Sequence, residues 1–156
     1  MHMEFSYDLI GIGWAECTLR VGDQEATTTA EDRSDALGEL ASATAGALRG
    51  DPCSIASFFD EPGEYRWILE PRPNGQVRIR ILKFPEPEPG GDRSPEEGIE
   101  YLDVECDLRT FAGAVVSELE RLKEKYGEEG YRDKWGKHDF PYERLGEIQG
   151  LLDKHQ

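Results

Sequence analysis

Basic residues are scarce in this chain, as are cysteine, histidine and long apolar runs. Only 18 Lys and Arg stand against 33 Asp and Glu, a net charge of −15 over 156 residues. Nucleic acid and anionic membrane surfaces both demand cations facing phosphate, so this balance argues against either as a partner. No apolar run approaches the roughly 18 residues of a spanning helix, and no secretory leader is visible at the start. The expected compartment is therefore the cytoplasm. An odd set of three cysteines, Cys17, Cys53 and Cys106, without C-x-x-C spacing, excludes a disulfide scaffold or a zinc knuckle. All three fall in strand patterns and read as buried thiols. His2, His138 and His155 show neither HxxxH nor HExxH spacing, so no metal site and no cofactor is expected. Also missing are G-x-S-x-G, the P-loop and G-x-G-x-x-G. Gly11-Ile12-Gly13 has too few glycines to cradle phosphate and reads as a bend. No catalytic residue is assigned.

What the chain does contain is patterning. Residues 64–84 form the clearest signal, a β-hairpin around Asn74-Gly75, two residues that tolerate positive φ. A two-residue turn would set Leu69 against Arg80. A three-residue loop, Pro73-Asn74-Gly75, sets Leu69 against Ile79, Trp67 against Ile81 and Glu70 against Arg78, keeping like with like. The core face is then Tyr65, Trp67, Leu69, Val77, Ile79 and Ile81. The other face is half polar, and Ile68 and Leu82 indicate that it too is partly covered.

Strands are also expected over Glu4–Ile10, Trp14–Val21, the run after Gly22-Asp23, Cys53–Phe59 and Ile99–Leu108. A two-residue turn at Gly22-Asp23 pairs Arg20 with Glu25 and Thr18 with Thr27. In the last strand the apolar phase slips near Leu102, which predicts a bulge or burial on both faces. Asp32 is a candidate cap for a helix whose buried stripe is Leu37, Leu40, Ala41, Thr44, Ala47 and Leu48, ended by Gly50. Asp107 or Thr110 caps a second, striped by Phe111, Val115, Leu119, Leu122 and Tyr126 and stopped at Gly127. A helical turn over 130–136 should carry Tyr131 and Trp135 inward. A final helix follows Asp139 and Pro141. The expected architecture is one α+β domain over 1–156: an antiparallel meander of six to seven strands, covered by two long helices and a short C-terminal one.

Residues 85–98 hold Pro85, Pro87, Pro89 and Pro95 with Glu86, Glu88, Asp92, Glu96 and Glu97. Such a stretch buries little apolar area and reads as a mobile loop. It is either an acidic arm that meets a basic partner or a solvated connection. Trp14, Glu16, Tyr65, Trp67 and Trp135 are the other candidate binding residues, as aromatics and a neighbouring acid that either line a pocket or fill the core. Glu61, Glu64 and Glu70 also lie near aromatics, where a raised carboxyl would suit acid–base work.

Gly13-Trp14-Ala15-Glu16, Ser34-Asp35-Ala36-Leu37, Glu61-Pro62-Gly63-Glu64-Tyr65-Arg66-Trp67, Phe111-Ala112-Gly113-Ala114-Val115 and Gly130-Tyr131 with Trp135 and Phe140-Pro141 together resemble a family of small acidic bacterial α+β proteins. The resemblance spans nearly the whole chain and implies no activity, ligand or catalytic residue. In size and acidity the chain is also similar in type to immunity proteins of bacterial toxin systems.

Three functional expectations follow. The first is a non-enzymatic protein that binds a basic protein partner, such as an immunity protein facing a basic toxin. The second is a small-molecule binder or a carboxylate-based enzyme with an aromatic-lined pocket. The third is a self-associating structural protein, a homodimer through an exposed sheet face.

Overall fold

The computed structural model describes residues 2–85 and 94–154. Its elements run β1 (Met3–Leu9), β2 (Trp14–Val21), β3 (Gln24–Glu31), α1 (Ala36–Arg49), β4 (Ser54–Asp60), β5 (Gly63–Arg72), β6 (Gln76–Phe84), β7 (Ile99–Asp107), α2 (Leu108–Trp135) and α3 (Tyr142–Lys154). This is an α+β fold with antiparallel pairing throughout, but the strands form two sheets and not one meander. One has the order β1-β2-β3, the other β4-β5-β6-β7. The break falls where α1 interrupts the strands. On re-entry, the N–H groups along the outer side of β4 and just past its end are taken by side chains: Ser57 by Glu39 Oε1 at 2.9 Å, Phe59 by Ser34 Oγ at 3.0 Å and, after the strand, Glu61 by Glu31 Oε2 at 3.0 Å. Donors already used in this way cannot pair with the β3 backbone.

Both expected registers are present. Leu69 faces Ile79, Trp67 faces Ile81 and Glu70 faces Arg78. Arg72 and Gln76 close the three-residue loop, in which both Asn74 (φ 64°) and Gly75 (φ 75°) are left-handed. In the first sheet Arg20 faces Glu25 and Thr18 faces Thr27, whose hydroxyls meet at 2.9 Å. The phase slip in β7 is a bulge: Ile81 pairs with Leu102 but Leu82 with Glu100, leaving Tyr101 as the extra residue. Gly63, at the start of β5, has no room for a side chain; a Cβ there would lie 1.8 Å from the Phe84 carbonyl oxygen.

The inner faces of both sheets and the apolar stripes of all three helices meet in one core. Trp67 lies at its centre, fully buried and stacked on Phe58 with centroids 5.7 Å apart. Its indole N–H donates to Thr28 Oγ1 at 3.3 Å, joining the sheets. The far face of the second sheet divides in two. Ile68, Leu82 and Phe84 form a small buried cluster, with the Arg66 guanidinium 4.4 Å from the Phe84 ring centre. Beyond it lies a ladder of Arg72, Arg78 and Arg80 interleaved with Glu70, Asp103 and Glu105.

Four local expectations change. The cap of α1 is Asp35, not Asp32; its carboxylate accepts from the Gly38 N–H at 3.3 Å, because residues 32–34 still belong to the turn that leaves β3. Cys53 is exposed ahead of β4, whereas Cys17 and Cys106 are buried. Gly127 (φ 69°, ψ −176°) breaks α2, as expected, yet the chain resumes helically at once, carrying Tyr131 and Trp135 into the core. The last helix is not short beside the first: α3 has 13 residues and α1 has 14. Residues 95–97 of the acidic loop form a short 3-10 turn, in which the Ser94 N–H donates to Glu97 Oε2 at 2.9 Å. Residues 86–93 of that loop lie outside the described residues.

Candidate functional site

Helix α1 is built almost wholly of small and apolar residues, so an acid on it stands out. Asp35 caps the helix and Glu39 follows four residues later, one turn on and on the same flank. Opposite them the chain leaves α2, passes through Asp139-Phe140-Pro141 and enters α3. Between these walls lies an open cleft of about 550 Å³, bordered by Asp35, Glu39 and Ser42 on one side, Asp139 to Arg144 on the other, and Glu128.

The acids in this cleft differ in their surroundings. Asp139 accepts from Arg132 at 2.8 Å, and Glu128 lies 3.6 Å from the same guanidinium. Arg144 faces the cleft but donates to Glu147 at 2.9 Å. Asp35 and Glu39 have no ion pair among the described residues. Each holds only a backbone N–H, from Gly38 and Ser57 respectively. Burial pushes the Asp35 carboxyl above its ordinary range, and Asp139 adds to the rise, against the lowering effect of His138 and the Gly38 N–H. Burial likewise raises Glu39, with Asp35 adding to it and the Ser57 N–H opposing. Two half-buried carboxylates thus sit side by side, partly stripped of water and without an ion pair among the described residues.

Behind them lie fully buried polar groups. The phenols of Tyr7 and Tyr131 are both raised, first by burial, and Asp35 adds to each. Neither hydroxyl, nor the Trp135 indole N–H, has a hydrogen-bond partner among the described residues.

The residues singled out in the sequence do not converge. Trp67 and Trp135 are completely buried and serve the core. Tyr65 is half-buried on the second sheet, its ring 5.4 Å from Tyr101 and 4.1 Å from the Lys83 ammonium. Trp14 is 41% exposed at the start of β2, and Glu16 points to solvent from the same strand. Glu96 and Glu97 belong to the 3-10 turn, while Glu86, Glu88 and Asp92 lie outside the described residues. The other acids noted beside aromatics are held by arginines: Glu61 by Arg33, Glu64 by Arg66 at 3.2 Å, and Glu70 by Arg80 at 3.6 Å. The pair that does share a cleft, Asp35 and Glu39, carried one signal in the sequence: acids at i and i+4 on a helix otherwise lined with alanine.

Among the described residues no group of three His, Cys, Asp or Glu side chains is placed to hold a metal ion. No helix among them is long and apolar enough to cross a membrane. In comparison with known proteins, no family model, no curated protein and no solved structure matches the chain.

Proposed function

We propose that this protein is a non-enzymatic binding protein whose α1 cleft receives a cationic group of a basic protein partner, the role an immunity protein plays toward a basic toxin. One observation carries the reading: Asp35 and Glu39 are half-buried, raised by burial and without an ion pair among the described residues, in a cleft whose rim adds further acids. A guanidinium or ammonium placed between them would replace lost hydration with charge-assisted hydrogen bonds. The net charge of −15 would steer a basic partner toward the surface and make its association fall with salt.

Calorimetry with the peptide acetyl-Arg-Arg-amide tests this. The wild type should bind it in a salt-sensitive manner. A bound cation favours the ionised carboxylates, so binding just above the ordinary carboxylate range should release protons, seen as a dependence of the heat on buffer. Asp35→Asn with Glu39→Gln should weaken binding roughly tenfold or more and abolish the proton release. Equal affinity in wild type and double variant would sink the reading.

The raised carboxyls also favour a second reading, in which Asp35 and Glu39 act on a small cationic molecule. It differs in its outcome: a bound amine or guanidine would be chemically altered over time, whereas a docking cleft returns it unchanged.

A further inference from the structure

The second sheet has two lateral edges, and they are treated differently. On β4, residues 57 and 59 turn their N–H groups away from β5, and each is taken by a side chain, as is the N–H of Glu61 just past the strand. The β1 edge of the first sheet is closed in the same manner: the Tyr7 N–H donates to Glu118 Oε2 at 3.1 Å, and the Tyr7 carbonyl accepts from Arg121 Nη2 at 2.7 Å. β3 runs out beside β4, close enough for Thr29 Oγ1 to donate to Asp60 at 3.0 Å. Carrying the alternation of β4 across β5 and β6 turns the backbone groups of Asp103 and Glu105 outward on β7. Among the described residues no backbone or side-chain group bonds to them, and β7 is the last strand of its sheet.

The core also thins at this strand. Val77, Ile79 and Ile81 of β6 are 0% exposed, whereas their β7 neighbours Cys106, Val104 and Leu102 are 9%, 6% and 4% exposed. A further strand with apolar residues on that face would continue the layer. On the opposite face β7 presents Glu100, Asp103 and Glu105; Arg78 holds Asp103 at 2.6 Å, Arg72 lies 3.7 Å from Glu105, and Glu100 has no ion pair among the described residues.

We propose that the free edge of β7 takes an extended segment of a basic protein, one alternating apolar residues with Lys or Arg. Its main chain bonds to the outward groups of Asp103 and Glu105. Its apolar residues extend the cover over Leu102, Val104 and Cys106, and its cations lie beside Glu100 and Glu105. The charge that admits this segment rejects a second copy of the chain. Antiparallel β7-to-β7 pairing would set these acids against themselves and join two bodies of −15 each. None of these residues lines the α1 cleft, so the edge goes beyond the function proposed above.

The probe is the peptide Lys-Val-Lys-Val-Lys-Val-Lys, read by amide hydrogen exchange on the full chain. Near saturation, exchange at Asp103 and Glu105 should slow by about fivefold or more, with the Ser57 and Phe59 amides unchanged. Glu105→Pro removes one outward N–H, leaves the ladder to β6 intact and hardly alters net charge; it should weaken binding about tenfold. Glu100→Lys with Glu105→Lys should lose the lysine peptide and gain Glu-Val-Glu-Val-Glu-Val-Glu. The proposal is overturned if millimolar peptide leaves Asp103 and Glu105 unprotected, or if folded Glu105→Pro binds as the wild type does. Should Glu105→Pro not fold, the charge-swapped variant decides, and a retained preference for lysine overturns the proposal. Asp35→Asn with Glu39→Gln should leave edge protection intact, so the failure of one site is distinguishable from the failure of the other.

Discussion

Asp103 on β7 and the pair Asp35 and Glu39 on α1 are all carboxylates that folding partly shields, and their environments push them in opposite directions. Asp103 receives Arg78 Nε at 2.9 Å and Nη2 at 2.6 Å, and that hydrogen bonding holds its carboxyl below the ordinary range despite some burial. Asp35 and Glu39 receive one backbone N–H each and no ion pair among the described residues, so burial outweighs the lowering effect of His138 and raises both. The difference shows how a net charge of −15 is distributed. On the far face of the second sheet three arginines pair with Glu70, Asp103 and Glu105, so most of the charge there cancels and Glu100 is left without an ion pair among the described residues. In the α1 cleft it does not cancel, and that is where an incoming cation gains most.

The largest effect expected from breaking this contrast is at Arg78. Arg78→Met keeps the aliphatic stem but removes the forked donor, leaving Asp103 without its bidentate partner and Glu70 with Arg80 alone. After allowance for solvent at this partly exposed site, the cost should be about 1–2 kcal/mol of folding stability at neutral pH. The sign follows from the lowered carboxyl. Its contribution is present above the ordinary carboxylate range and is lost as pH falls through the lower folded value. Urea unfolding at a series of pH values should therefore show wild type and variant converging on acidification. A constant gap would mean that Arg78 acts through packing and not through Asp103.

The hairpin registers were legible in the sequence and the cleft was not, for a physical reason. Hairpin register is a local property: Asn74-Gly75 and Gly22-Asp23 fix loop lengths, and the requirement that Glu70 meet Arg78 and Arg20 meet Glu25 selects one alignment. The slipped phase at Leu102 likewise marked the bulge at Tyr101. Alternation tells which face a residue takes but not which sheet its strand joins. The division between β3 and β4 rests on Glu31, Ser34 and Glu39 reaching the β4 edge, contacts between residues up to 30 positions apart. The cleft is more distant still. Asp35 and Glu39 sit on one helix, but the wall that turns them into a site arrives about a hundred residues later with Asp139 to Arg144. Aromatic content pointed the other way, because Trp67 and Trp135 are as apolar in the core as they would be around a ligand.

A smaller effect, of opposite sign, is expected in the cleft. Asn caps a helix as well as Asp does, and Gln still accepts from the Ser57 N–H, so Asp35→Asn with Glu39→Gln removes charge without removing either bond. A carboxyl raised on folding costs stability as pH climbs from its unfolded value through its folded one, because the folded state binds the proton more tightly. The double variant should therefore be more stable than wild type at pH 7, by about 0.5–1 kcal/mol once screening at these half-exposed positions is included. The gain should vanish below about pH 4, where both forms are neutral. Destabilisation at pH 7 would show that the two carboxylates are held by the fold and not strained by it.

The smallest effect should come from an acid that belongs to neither class. Glu16 lies on the wet face of the first sheet, directly across from Asp8, and like charges in that position repel. Asp8 already accepts from Arg121 Nη2 at 2.8 Å, and Glu16 is open to solvent, so water and salt screen what repulsion remains. Glu16→Gln removes the same unit of charge as Asp35→Asn, yet its urea midpoint should move less than that of the cleft variant. It should also bind acetyl-Arg-Arg-amide as the wild type does. A shift as large as that of the cleft pair, in stability or in binding, would mean that total charge and not desolvation governs both, and the distinction between the two regions would collapse.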